Sequence, residues 1–351
     1  MRASARDAPI HSTELRIDSD SLRTLFLDLL GRPPAPDERS QWIERRRDEL
    51  IDSALAGSEF WHNWFEEQLY YFLLVDNFRP TTDGVEAIPL QMASGSLGVR
   101  DALHRLCLSS SFDRRNPGPD TFVTVVMEQL LGITVQKNPR ELEIGKRLYD
   151  GASGAFLGRQ GKSQADVVNI AVADARCMPH FLMREYQRLL RQEPDALEIT
   201  SWDSALQEDA LALRSILRGW FLSKAYDHRL KNRSTQPNRL FVRCLFMDLA
   251  GRMPTENETQ RIRNALDGLA DSGPLRSVIA RLLLDSGKAE IVDRSSVSDP
   301  AVWIVGLFER LLGRSPRPEE LDTFLRSFKD PACRTETVLY AIVSHPEYQT
   351  W

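Results

Sequence analysis

The stretch richest in side chains capable of chemistry runs from Glu59 to Tyr71, Glu-Phe-Trp-His-Asn-Trp-Phe-Glu-Glu-Gln-Leu-Tyr-Tyr. His62 and Glu66 stand four residues apart, which puts them on one face of a helix with Glu67 beside them. A metal site of the helical-bundle type needs a second histidine and a further carboxylate from another helix. No second Glu-x-x-His exists to supply them, so neither a metal nor another cofactor is expected. An enzymatic reading of the chain rests on His62, Glu66 and Glu67. The aromatic residues around them, Trp61, Trp64, Phe65, Tyr70 and Tyr71, fit a core or an interface better than a cofactor box.

Other motifs carry less. Gly151 to Gly161 is Gly-rich and reads as a loop. It lacks the Gly-Lys-Ser/Thr ending of a phosphate loop at the right spacing, and no strand precedes it. Gly161-Lys162-Ser163 fits Ser163 as the N-cap of a helix. Cys177 and His180 form one isolated Cys-x-x-His pair, and the remaining histidines are scattered. Cys107, Cys177, Cys244 and Cys333 form no CxxC pair, which suits reduced, buried thiols.

The elements that must position these residues are announced by a repeated motif. Leu307 to Leu321 reads Leu-Phe-Glu-Arg-Leu-Leu-Gly-Arg-Ser-Pro-Arg-Pro-Glu-Glu-Leu, and altered copies start at Leu25, Tyr186 and Leu245. Leu22, Leu25, Phe26 and Leu29 have the i, i+3, i+4, i+7 spacing of an amphipathic helix. Gly31 supplies a left-handed helix stop, Pro33, Pro34 and Pro36 prevent continuation, and Asp37 and Glu38 suit a new first turn. Arg32, Arg252 and Arg314 follow the glycine in three copies, where a cation complements the helix dipole and caps the last carbonyls. The Tyr186 copy has Arg191 in the glycine's place. A left-handed arginine costs on the order of a kcal/mol, so that corner is expected to be built differently.

A third helix closes each copy, as in Leu50 to Gly57 or Thr335 to Val343. The unit is helix, corner, helix, loop, helix, with a period of roughly sixty residues between corners. Val123 to Val135 looks like a divergent opening helix with Gly132 at its corner. Val99 to Leu108 reads as a helix, and Arg79 to Gly98 reads as a loop. No segment sustains period-two alternation, so the chain is expected to be all-α.

Composition agrees with a folded, water-soluble chain: 351 residues, 42% hydrophobic and 27% charged, with a formal net charge of -5. That balance gives no general pull toward nucleic acid or an anionic membrane. Residues 1–21 lack the apolar core of a signal peptide, and no run approaches the length of a membrane span. The expected compartment is the cytoplasm.

Two stretches also resemble known families. Leu25 to Pro36, Leu50 to Phe60 and Trp61 to Tyr71 together resemble the opening of the DUF1549 family, uncharacterised proteins often linked to cytochrome domains. Trp61 and Trp64 match its pattern, Asn63 stands where the family has histidine, and Val75-Asp76 is an approximate match. No Cys-x-x-Cys-His haem motif accompanies them. Leu307 to Tyr348 resembles DUF4214, a short helical module similar to phycobilisome linker domains. These resemblances imply helical modules used in scaffolding or attachment.

The expected architecture is an array of four or five three-helix modules. The segments are a flexible tail over 1–20, a first module with an aromatic insertion over 21–120, a divergent module over 121–182, and modules over 183–236, 237–296 and 297–351. The expected function is a non-enzymatic scaffold, linker or accessory subunit that binds protein partners, with a homo-oligomer compatible with the same reading. Its expected contact surface is an exposed patch of Trp61, Trp64, Tyr70 and Tyr71, with Trp351 as a second anchor. The alternative is a helical enzyme or maturation factor, metal-dependent or not, with a pocket between modules.

Overall fold

Each corner of the repeated motif has to reverse the chain and start a new helix within a few residues. The computed structural model describes residues 15–73 and 84–351. Helices Ser19–Leu30 and Asn238–Ala250 end at Gly31 and Gly251, with φ of 67° and 60°, and Gly313 after Pro300–Leu311 has φ of 75°. A side chain is strained in that region, so glycine is the residue of choice. The succeeding helices are Pro36–Trp42, Glu256–Asp267 and Pro318–Lys329.

What holds the two helices of a corner together is a guanidinium. Glu38, Glu258 and Glu320 each return a carboxylate to the N–H of the residue before their helix, Ala35 at 2.8 Å, Thr255 at 2.9 Å and Arg317 at 2.7 Å. The same carboxylate receives both ends of the corner arginine. Arg32 donates to Glu38 at 2.6 and 2.7 Å, Arg252 to Glu258 at 2.9 Å twice, and Arg314 to Glu320 at 2.7 and 2.9 Å. Each guanidinium also lies over a phenylalanine of the preceding helix, at 5.8 Å from Phe26, 5.1 Å from Phe246 and 5.5 Å from Phe308. The arginine thus has a role beyond the expected one: it ties the start of the next helix to the end of the last.

The fold is all-α. Among the described residues there are twenty α-helices, and one small exception that the sequence reading missed. Gly154–Phe156 and Arg159–Gly161 pair as an antiparallel hairpin inside the stretch expected to be a loop. Leu157 and Gly158 have φ of 49° and 79°, the two positive values that a type I′ hairpin turn requires. Phe156 is buried, which anchors the hairpin.

Further expectations are corrected at the ends of elements. Within the stretch expected as a loop from Arg79, a helix runs over Ile88–Ser94, while 79–83 and Val75-Asp76 lie outside the described residues. The expected tail over 1–20 is described from Leu15. Ile17 is buried there and exchanges backbone hydrogen bonds with Arg45 and Glu44 at 2.8 and 2.9 Å. Arg191, expected to be built differently, adopts φ 57° and ψ 29°, the same left-handed corner as the glycines.

Contacts group the chain into two units, Met1–Asp52 with Asn232–Trp351, and Ser53–Lys231. The first unit joins three corners around Leu245, Phe246, Leu249, Phe308, Leu311 and Ile342. Buried among them, Arg23 donates to both carboxylate oxygens of Asp248 at 3.1 and 2.7 Å and to the Arg310 carbonyl at 3.1 Å. Tyr348 Oη donates to Asp248 at 2.8 Å. Burial disfavours the Arg23 charge, but the Asp248 carboxylate outweighs it and the pKa is raised; burial and the same carboxylate push the Tyr348 phenol well up. The second unit holds the aromatic helix Ser58–Leu73, the hairpin and the Tyr186 corner.

Removing one partner of the buried pair leaves the other charge without compensation. Arg23→Met alone should destabilise the first unit by about 3–5 kcal/mol in urea denaturation, and Arg23→Met with Asp248→Leu should recover much of the loss. The corner clasp carries a pH signature of its own. The hydrogen bonds from Arg314, only partly opposed by burial, hold the Glu320 carboxyl at about 2, below its ordinary value of 4.5. Between those values the unfolded chain binds more protons at this position. The stabilisation is therefore complete above pH 4.5 and lost as pH falls toward about 2. Calorimetry across that window should show a shallower acid decline of Tm in Glu320→Gln than in the unsubstituted chain.

Candidate functional site

The aromatic helix does not present the surface expected of it. Trp61 and Trp64 are each 2% exposed, and Trp61 Nε1 donates to the Leu55 carbonyl at 3.0 Å. Their rings pack edge to face with each other at 5.9 Å, and Trp64 meets Phe181 at 6.2 Å. These two tryptophans are core, because the helix buries the face that carries them. Tyr71 is half-buried under the Arg184 guanidinium, 3.9 Å from its ring centre, and its hydroxyl donates to the Gln129 carbonyl at 3.3 Å. Of the expected patch only Tyr70 is exposed, at 42%. Trp351, in the first unit, is half-buried and donates Nε1 to Asp28 at 2.8 Å, so it anchors the chain's own end.

His62 is exposed with Nδ1 2.8 Å from the Ser58 carbonyl of its own helix, while Glu66 and Glu67 are half-buried. Among the described residues, no group of three or more His, Cys, Asp or Glu side chains is arranged to hold a metal. Ser163 caps its helix as expected, accepting from the Asp166 N–H at 3.1 Å.

The arrangement with the most chemical content lies at the Tyr186 corner. Helix Cys177–Leu190 carries Tyr186, helix Ala196–Glu208 carries Glu198 and Trp202, and helix Leu213–Phe221 carries Ser215, Gly219 and Trp220. Glu198, Trp202 and Ala205 recur at helical spacing, as do Ala212, Ser215, Ile216, Gly219 and Trp220, so each set shares a face. These faces enclose a cavity of about 420 Å³ that opens to solvent. Tyr186 stacks on Trp202 at 5.3 Å, and Trp220 meets the two edge-on at 5.4 and 5.0 Å. Outside its own helix backbone and chain neighbours, no heavy atom lies within 4 Å of where a Gly219 Cβ would stand, so the wall is open there.

This corner keeps its architecture and lacks one part. The Asp195 N–H donates to Glu198 at 3.0 Å, the same return contact that Glu38, Glu258 and Glu320 make in the other three copies. Tyr186 occupies the position of Phe26, Phe246 and Phe308. Where those copies have arginine, this one has Gln192, whose Nε2 is 3.2 Å from His228 Nδ1. Glu198 consequently has no cationic partner among the described residues and lines the cavity instead. Burial first, and then the Glu198 carboxylate, raise the Tyr186 phenol pKa. The sequence reading noticed Arg191 here but passed over Glu198, Trp202 and Trp220. The usable signal was a glutamate retained seven residues after a corner that had lost its arginine.

Searches against protein-family models, curated proteins and solved structures find no match to this chain.

Two substitutions separate core from cavity. Trp64→Ala should cost about 3–5 kcal/mol in denaturant unfolding. Gly219→Ala, with open space at its Cβ and an ordinary helical backbone, should instead stabilise by about 0.5–1 kcal/mol.

Proposed function

We propose that this chain is a non-enzymatic helical scaffold or accessory subunit that holds a protein partner at the Tyr186 corner. The observation that carries the reading is the contrast between corners. Three of them satisfy their glutamate with an internal arginine, and the fourth leaves a carboxylate beside three aromatic rings at an open cavity. Trp202, half-buried at the opening, supplies the contact area in front of Tyr186 and Trp220, which are buried behind it, and Tyr and Trp dominate binding energy at protein interfaces. The resemblance of Leu307 to Tyr348 to linker modules points the same way. The first unit acts as structural support, since its corner glutamates are already engaged.

Affinity purification of the tagged full chain from its source cells, followed by mass spectrometry, tests the reading. The expected result is one protein retained in near-stoichiometric amount by the unsubstituted chain and lost with Trp202→Ala, while circular dichroism shows an unchanged helical signal. Retention that is equal in Trp202→Ala, or absent from both, would overturn the proposal.

A further inference from the structure

We infer that the Tyr186 corner is a seat for the guanidinium of an arginine side chain supplied by the partner polypeptide. This rests on the partner-binding reading above and specifies its chemistry. The structure contains three filled examples of the same seat. In each, a planar guanidinium makes two hydrogen bonds to the glutamate and lies over the aromatic ring of the preceding helix. The Tyr186 corner keeps the ring, the glutamate and the backbone that places them. Arg191 has φ of 57° where the glycines have 60–75°. Glu198 sits at the third position of its helix and accepts from the N-cap N–H, as Glu38, Glu258 and Glu320 do.

The cation is missing, and Trp202 stacks on the Tyr186 ring beside its place. Gln192 is neutral and turned toward His228. The nearby arginine of the opening helix, Arg188, is committed to the buried carboxylate of Glu185 at 3.2 and 3.0 Å, and neither Arg188 nor Arg191 lines the cavity. Trp202 and Trp220 extend the aromatic wall, leaving about 420 Å³, which exceeds the needs of a guanidinium and admits its side chain as well.

The seat favours guanidinium over ammonium for a geometric reason. A carboxylate accepts the planar fork through two parallel hydrogen bonds while the flat face stacks on a ring, and an ammonium offers a point charge with neither match. An arginine arriving from outside therefore completes the corner as Arg32, Arg252 and Arg314 complete theirs.

The test uses the full chain with uniformly ¹⁵N-labelled protein and methylguanidinium chloride as the probe, at constant chloride. Indole N–H resonances of Trp202 and Trp220 should shift saturably, with methylammonium binding at least about fivefold more weakly. Glu198→Gln should weaken the probe by about tenfold or more. Gln192→Arg, which copies the arrangement already present at the other corners, should abolish the shifts and the retention of the partner while keeping the fold. Absence of saturable shifts, or shifts unchanged in both variants, would overturn the guanidinium seat. Retention of a partner without such shifts would uphold docking and overturn the arginine chemistry. Saturable shifts with no partner retained would uphold the seat and overturn its occupant.

Discussion

A guanidinium stretched across a six-residue turn is the constraint on which this structure turns. The left-handed residue ends one helix, the proline-containing stretch forbids its continuation, and a glutamate at the third position of the next helix waits for a partner. Without the arginine that glutamate still caps its own helix, as Glu198 does, and ring packing such as Trp202 on Tyr186 is left to hold the second helix against the first. At the three corners that have it, two hydrogen bonds and an aromatic face tie the second helix to the first. The close packing of Phe246, Phe308 and their neighbours then follows from helices already held at a set angle.

Much of this is legible in the residues themselves. Helix stops at Gly31, Gly251 and Gly313 follow from the glycine's tolerance of positive φ, and helix starts follow from Pro, Asp and Glu in the first turn. Ser163 as a cap and Gly132 as a corner were legible for the same local reason, and Gly132 does take φ of 65°. What was not legible depended on distant partners. Arg191 adopts a conformation that its own side chain disfavours, because the surrounding corner and its capping box over-determine the turn. The hairpin at Gly154–Gly161 is too short for periodicity to register, and only the burial of Phe156 and the positive φ at Leu157 reveal it.

The site was harder to read than the fold, for a related reason. An aromatic cluster in sequence, Trp61 to Tyr71, draws attention, but clustering along the chain says nothing about which face is buried. The helix Ser58–Leu73 hides Trp61 and Trp64 and leaves Tyr70 out. The aromatic set that does meet at an opening, Tyr186, Trp202 and Trp220, is spread over three helices and invisible as a motif. The information was present as a subtraction: a repeated arginine absent from one copy whose glutamate persists.

The discontinuity of the first unit has a consequence for how the molecule comes into being. Arg23 and Asp248 are 225 residues apart in the chain, and Asp28 and Trp351 are 323 apart. At a synthesis rate of about 5–20 residues per second, the helix Ser19–Leu30 waits for on the order of tens of seconds before Asp248 exists. During that interval Ser53–Lys231 has everything it needs to collapse on its own. Its completion shortens the effective loop that the first unit must close, because a folded insert spans less distance than the loose chain it replaces. The middle of the sequence is thus the natural leader in biosynthesis. The unpaired Arg23 and the apolar face around Leu25 and Leu29 are the surfaces a chaperone would have to shield until the last corner emerges.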